Sequence, residues 1–184
     1  MSERIYLTLE NLDDFPKYAL PPGFRIEPLG GRDFYEIHSR VGTTRSIDEG
    51  IVDVQYSGNR KALSDCCLLL FDKSEVIGIG VAWWNPNVFG ERWGVVDWLS
   101  VDKPYQAKGL SRPFLSAVLR RVSLNDCQCY ADTEVGNVAA VRLALSFGFK
   151  PKFDSEKGRA LWHGVAKKIN NPGLTKILEN DGFR

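Results

Sequence analysis

A chain of 184 residues, with 43% hydrophobic and 26% charged side chains, has the make-up of a single folded globular domain. Its 24 Lys and Arg nearly cancel 23 Asp and Glu, leaving a formal charge of +1. That excludes the broad basic field of a general nucleic-acid binder, though not a local basic pocket. The N-terminus has no apolar leader core, and the longest aliphatic and aromatic run, Cys66 to Phe71, is too short to cross a bilayer. A cytoplasmic location with no membrane partner is the expectation. The cysteines fall as Cys66-Cys67 and Cys127-x-Cys129, without the spacing of common zinc sites. They read as small, buried, reduced hydrophobes, and no metal is expected.

In chain order, residues 1–20 read as an irregular arm with a short strand at Ile5–Leu9. Pro21-Pro22-Gly23 turns the chain into a first core strand from Phe24. Asp33 can cap a helix over 34–41, where Phe34, Ile37 and Val41 share a face. A second helix is expected from about residue 47 to 57, carrying Ile47, Ile51, Val54 and Tyr56 inward, followed by a loop over 58–64. Cys66–Phe71 and Val76–Trp84 read as a hairpin closed by Asn85-Pro86-Asn87, with Arg92–Val101 as the third strand of a meander. Alternation sends the adjacent Trp83 and Trp84 to opposite faces of their strand, one to the core and one free to wall a pocket or cover a helix.

The stretch Val95 to Val122 holds the chemistry. Its strand places Val95, Asp97, Leu99 and Val101 on one face and Val96, Trp98 and Ser100 on the other. Pro104 ends the strand, and Gln106-Ala107-Lys108-Gly109-Leu110-Ser111 forms a tight loop. A helix follows, with Phe114, Leu115, Val118, Leu119 and Val122 as its apolar stripe and Pro113 in its first turn. A Gly-containing loop that opens a helix suits an anion, because the first helical N–H groups lack partners and the helix dipole is positive there. Such loops also serve as plain connectors.

Downstream, Cys127–Glu134 reads as a strand and Asn137–Phe147 as a helix stopped by Gly148. Phe149–Phe153 and Arg159–Lys168 read as a last antiparallel pair, and Leu174–Leu178 as a short helix in the tail. The order β-α-α-β-β-β-α-β-α-β-β predicts an α/β (α+β) fold. His38, on a helix, and His163, on a late strand, complete no nucleophilic set and read as structural.

Two motifs carry a resemblance. Gln106-x-x-Gly109-x-Ser111 resembles the Q/R-x-x-G-x-G/A signature of the GNAT superfamily of N-acetyltransferases, with Ser111 a small departure. Asn137-x-x-Ala140-x-x-Leu143-Ala144-x-x-x-Gly148-Phe149 resembles that family's N-x-x-A-x-x-L-Y-x-x-x-G-F. The resemblance covers roughly residues 24–169 and implies a mixed, mainly antiparallel central sheet with helices on both faces. It implies a single catalytic domain over 21–169, an N-terminal arm over 1–20 and a C-terminal tail over 170–184. The arm or the tail would build any homodimer.

The resemblance further implies acetyl-CoA as cosubstrate. Its diphosphate would rest on Gln106, Ala107, Lys108, Gly109, Leu110 and Ser111. Its pantetheine arm would run between the strand ending at Val101 and the strand Cys127–Glu134, along Leu99, Ser100 and Val101. Asn137 joins this cofactor set. The acceptor would be a primary amine on a small molecule or a protein, entering beside the first two helices, where Glu49 and Asp53 could meet a cation. Asp97 is the first candidate for the base, or else a structural acid paired with Arg or Lys. Glu134 is the second. Position 144 is Ala where the family usually carries a Tyr proposed to protonate the leaving thiolate. That departure keeps a second reading open, a non-catalytic module that binds or senses acyl-CoA.

Overall fold

The computed structural model describes residues 3–41, 54, 56 and 58–180. It holds two compact units, one from Asn11 to Cys129 and one combining Met1–Glu10 with Tyr130–Arg184.

The larger unit contains the meander. Strands β2 (Phe24–Pro28), β3 (Cys67–Asp72), β4 (Glu75–Val88) and β5 (Glu91–Val101) lie side by side in that order, every neighbouring pair antiparallel. Helices α1 (Phe34–Val41) and α3 (Ser111–Val122) both pack on β4. They cover opposite faces. Ser100, directly across from Ile79, donates to the Val41 carbonyl of α1, whereas a Cβ on the next residue, Gly80, would strike Val118 of α3. Burial on both sides explains why Ile77, Ile79 and Val81 alternate with glycines instead of with polar residues. Helix α3 forms where its apolar period predicts, with Phe114, Leu115, Val118, Leu119 and Val122 all buried.

The smaller unit has β6 (Cys129–Glu134) from Tyr130 onward, and β1 (Arg4–Leu9) paired antiparallel with β7 (Lys150–Lys152). Its helices are α4 (Val138–Leu145), α5 (Glu156–Ile169) and α6 (Pro172–Asn180). The Asn137 side chain accepts from Ala140 N–H and caps α4. Gly148 follows α4 at φ +88, the left-handed conformation that suits a residue without Cβ. The predominantly antiparallel strands with helices packed on them form the α/β fold that the sequence predicts.

Several expectations are overturned. Arg159–Lys168 is not a strand but lies inside α5, and Phe149–Phe153 keeps only the three residues of β7. Ser155 caps that helix by accepting from Gly158 N–H, and Trp162, Val165, Ala166 and Ile169 repeat at the helical period on its buried side. His163 is therefore an exposed helical residue. The β7 partner is β1, whose Ile5 and Leu7 are buried.

The expected loop over 58–64 includes the start of helix α2 (Arg60–Cys66), begun by Asn59, whose side chain accepts from Ala62 N–H. Most of the expected helix 47–57 lies outside the described residues. Val54 is 84% exposed while Tyr56, in a turn, is 1% exposed, so the two do not share a buried face. Strand β4 runs past Asn85-Pro86-Asn87 to Val88, with its register broken between Asn85 and Val88. All four cysteines are free thiols, but only Cys67 and Cys129 are buried, and Cys127 is exposed. The Trp83 and Trp84 rings stack at 4.1 Å instead of parting to two faces. Trp84 sits across from Gly94, where the space a side chain would use is filled by Val122.

Candidate active site

The cofactor loop is built from β5 outward. Asp102 accepts from Lys103 N–H and opens a single 3-10 turn, Lys103–Tyr105. Gln106 then donates from Nε2 to the Val101 carbonyl at 2.8 Å, tying the loop to the end of β5. Ala107 and Gly109 both adopt left-handed φ, +60 and +78. Alternation of this kind turns successive N–H groups toward one concavity, an arrangement that holds anions. No side chain caps α3, so the N–H groups of its first turn lack a helical partner, while the Gln106 N–H already donates to the Lys103 carbonyl. Residues 106–109 are exposed, while Leu110 is buried and anchors the far end. A diphosphate fits this set: main-chain donors, a helix N-terminus and no side chain in the way. Lys108 Nζ lies 4.6 Å above the Tyr105 ring, and Tyr105 donates to Glu75 Oε2 at 3.3 Å. Desolvation and the carboxylates of Asp72 and Glu75 push the Tyr105 hydroxyl up to about 12.

The structure corrects the facing of Asp97. Ile79 pairs with Ser100 and Val81 with Asp97, so two steps on β4 match three on β5. The extra residue is a β-bulge, with Trp98 left-handed at φ +49. It moves Asp97 onto the Ile79 and Ser100 face, toward α1. Leu99, which touches the Gly80 position, and Val101, across from Gly78, face α3. Strict alternation would have put all three together.

Asp97 is half-buried and accepts hydrogen bonds at both oxygens. Oδ1 takes Trp98 N–H at 2.9 Å, and Oδ2 takes the Tyr56 hydroxyl at 3.1 Å. Burial, then the Asp97 charge, raises the Tyr56 pKa well above its ordinary value. Its proton is thus committed to Asp97. Sequence reasoning treated Tyr56 only as a core residue. The Asp97 contact joins positions 41 apart, and no spacing rule reports it. The bulge is likewise unmarked, since its left-handed residue is a Trp and not a Gly.

Around this point Tyr56 meets Trp83 edge-on at 4.8 Å, and His38 meets Trp98 edge-on at 4.6 Å. His38 is 2% exposed, and burial lowers its pKa to about 4, so it is neutral at ordinary pH. Glu49 and Asp53 lie outside the described residues. In the smaller unit, Glu134 ends β6, Asn137 caps α4 and Ala144 is buried in α4. Two concavities of about 470 and 520 Å³ lie beside α3, both reached by Arg120. Neither is lined by Asp97 or the Gln106–Ser111 loop.

The sequence matches the profile of the Acetyltransferase (GNAT) family over residues 32–149, well over half of the chain, and the chain belongs to that family. Comparison with curated proteins yields no match. Among solved structures, it is similar to a GCN5-related N-acetyltransferase from Sphaerobacter thermophilus, at TM-score 0.62 and 17% identity. That match covers 81% of this chain and 48% of the other. A Drosophila protein matches at TM-score 0.60 and 16% identity, over 83% of this chain and 48% of its own. An Arabidopsis thaliana protein in complex with the bisubstrate analogue CoA-Ac-MVNAL matches at 0.54 and 19%, over 71% and 85%. The chain thus spans about half the length of the first two neighbours, and these likenesses concern the fold. Among the described residues no helix is long and apolar enough to cross a membrane.

Proposed function

We propose that the protein moves an acetyl group from acetyl-CoA to an amine nitrogen by direct transfer. The observation that carries this reading is the loop Gln106–Ser111, whose left-handed Ala107 and Gly109 and uncapped helix start gather main-chain donors, in a chain of an acetyltransferase family. These donors would hold the CoA diphosphate, with Gln106 bracing the loop and Lys108 adding charge at its rim. Leu99, Ser100 and Val101 offer main-chain groups to the pantetheine arm. Asn137 remains a cofactor candidate through the resemblance. The bound thioester would supply the acyl group, the amine nitrogen bonding to its carbonyl carbon as the C–S bond breaks and CoA leaves with the electron pair.

Asp97 is the base in this reading, with Glu134 as the second candidate. An ionised carboxylate has about four acceptor positions, of which the Trp98 N–H and the Tyr56 hydroxyl take two. Ala144 offers no proton to the departing sulfur. A thiol pKa of about 8.5 makes a thiolate a tolerable leaving group, and the missing acid is worth ~10²–10⁴-fold in rate.

Titration calorimetry with acetyl-CoA, on the wild type and on Gly109→Val, tests the loop. A side chain at φ +78 opposes the left-handed backbone by ~1–2 kcal/mol, so affinity should fall about tenfold. The absence of any binding of CoA thioesters, or an unchanged affinity in the variant, overturns the proposal. Release of free CoA with a panel of small primary amines and peptide N-termini then tests transfer. The peptide arm is prompted by the CoA-Ac-MVNAL complex of the Arabidopsis neighbour. Tight binding without turnover on any amine selects the second reading, an acyl-CoA-binding module, which the non-ionisable Ala144 favours.

A further inference from the structure

Resting on the reading of Asp97 as base, we infer that Tyr56 is a positioning residue for the transfer, holding the Asp97 carboxylate in one orientation at the β5 bulge. The carboxylate is gripped twice, by its own strand through Trp98 N–H and by a distant segment through the Tyr56 hydroxyl. Tyr56 is itself confined. It is 1% exposed, with Phe34 edge-on at 6.3 Å and Trp83 at 4.8 Å, and its carbonyl accepts from Asn59 N–H ahead of α2. A buried hydroxyl is costly unless bonded, and this one donates to Asp97. The grip also acts on the backbone. Trp98 sits in a left-handed conformation that a residue with a Cβ adopts at a cost, and its N–H is the group Asp97 receives.

The described elements packed against the pair bring the following groups to it. Strand β4 presents Val81, which does not ionise. Helix α1 brings His38 to Trp98, neutral through burial, while its Glu36 and Arg40 are exposed. Strand β3 brings Cys67, whose thiol burial pushes far up and keeps protonated. The hydrogen bond from Tyr56 is the one of these contacts that removal of a single oxygen abolishes. Donation to the ionised form favours that form, so losing the hydroxyl should raise the pH at which Asp97 becomes a competent base.

The experiment is the pH profile of kcat/KM for an amine that the protein acetylates, in wild type, Tyr56→Phe and Asp97→Asn, with acetyl-CoA affinity and Tm measured alongside. In Tyr56→Phe the acidic limb should move up by about one pH unit and kcat fall about tenfold, with acetyl-CoA affinity within twofold of wild type. Installing 3-fluorotyrosine at position 56 strengthens the donor and should move the limb down, which covers the case of a Phe variant that fails to fold. A limb unmoved in both variants, with only Tm lowered, marks a structural residue and overturns the inference. If Asp97→Asn loses turnover while the limb stays put, the Tyr56 inference alone falls. If Asp97→Asn keeps its turnover, the base reading falls and the inference with it.

Discussion

Gly80→Ala tests how tightly the strand bulge is packed. Gly80 lies on β4 opposite Trp98 and Leu99 of β5, between the pairs Ile79–Ser100 and Val81–Asp97. A Cβ there would come to 2.9 Å from Leu99 Cδ1, 3.0 Å from Val118 Cγ2 and 3.4 Å from Phe114 Cζ. Phe114 and Val118 are wholly buried and held by α3, whereas Leu99 is only half-buried. The added methyl should therefore displace Leu99, on the strand assigned to the pantetheine arm. Overpacking by one carbon costs ~1–3 kcal/mol. In a chain of this length each kcal/mol lowers Tm by ~2–4 °C, so the expected fall is about 2–12 °C. Differential scanning fluorimetry with and without acetyl-CoA reads both consequences, a lower Tm and a smaller stabilisation by ligand. Gly136→Ala is the control, since nothing lies within 4 Å of the Cβ it would add and its φ is not left-handed. An unchanged Tm and an unchanged ligand shift in Gly80→Ala would refute the packing argument.

Other outcomes follow from single features. His38 has a folded-state pKa of about 4 against an ordinary 6.5, so the unfolded chain takes up the proton first. Stability is then fully present above about pH 6.5 and declines as the pH drops toward 4, by about 3 kcal/mol as an upper bound. Urea midpoints from pH 7 to 4.5 should fall more steeply for wild type than for His38→Phe, and parallel slopes would contradict this. Gly164 sits inside α5 with open space around its missing Cβ, so Gly164→Ala should gain ~0.5–1 kcal/mol in chemical denaturation. Ser155→Ala removes the α5 cap and should lose about 1 kcal/mol; equal stability would mean that the Gly158 N–H finds water instead.

Local chemistry made part of this protein legible in its residues. The loop from Gln106 to Ser111, the stripe of α3, the helix that follows Asn137 and the Gly148 stop each depend on neighbours a few positions away, and each stands where its pattern predicts. Helix α5 is legible too, since Ser155 and the Trp162, Val165, Ala166, Ile169 stripe carry a helical period, which the expectation of a strand over Arg159–Lys168 passes over. Other features depend on partners that sequence does not place side by side. Strand β1 pairs with β7 across most of the chain, and Tyr56 reaches Asp97 over 41 positions. The bulge at Trp98 belongs to this second kind. One residue of slip between β4 and β5 turns Asp97 from the face of Val101 to the face of Ser100. Sequence set which groups are present near the end of β5. Packing between strands decided which way the carboxylate points, because a period of two has no memory of an inserted residue.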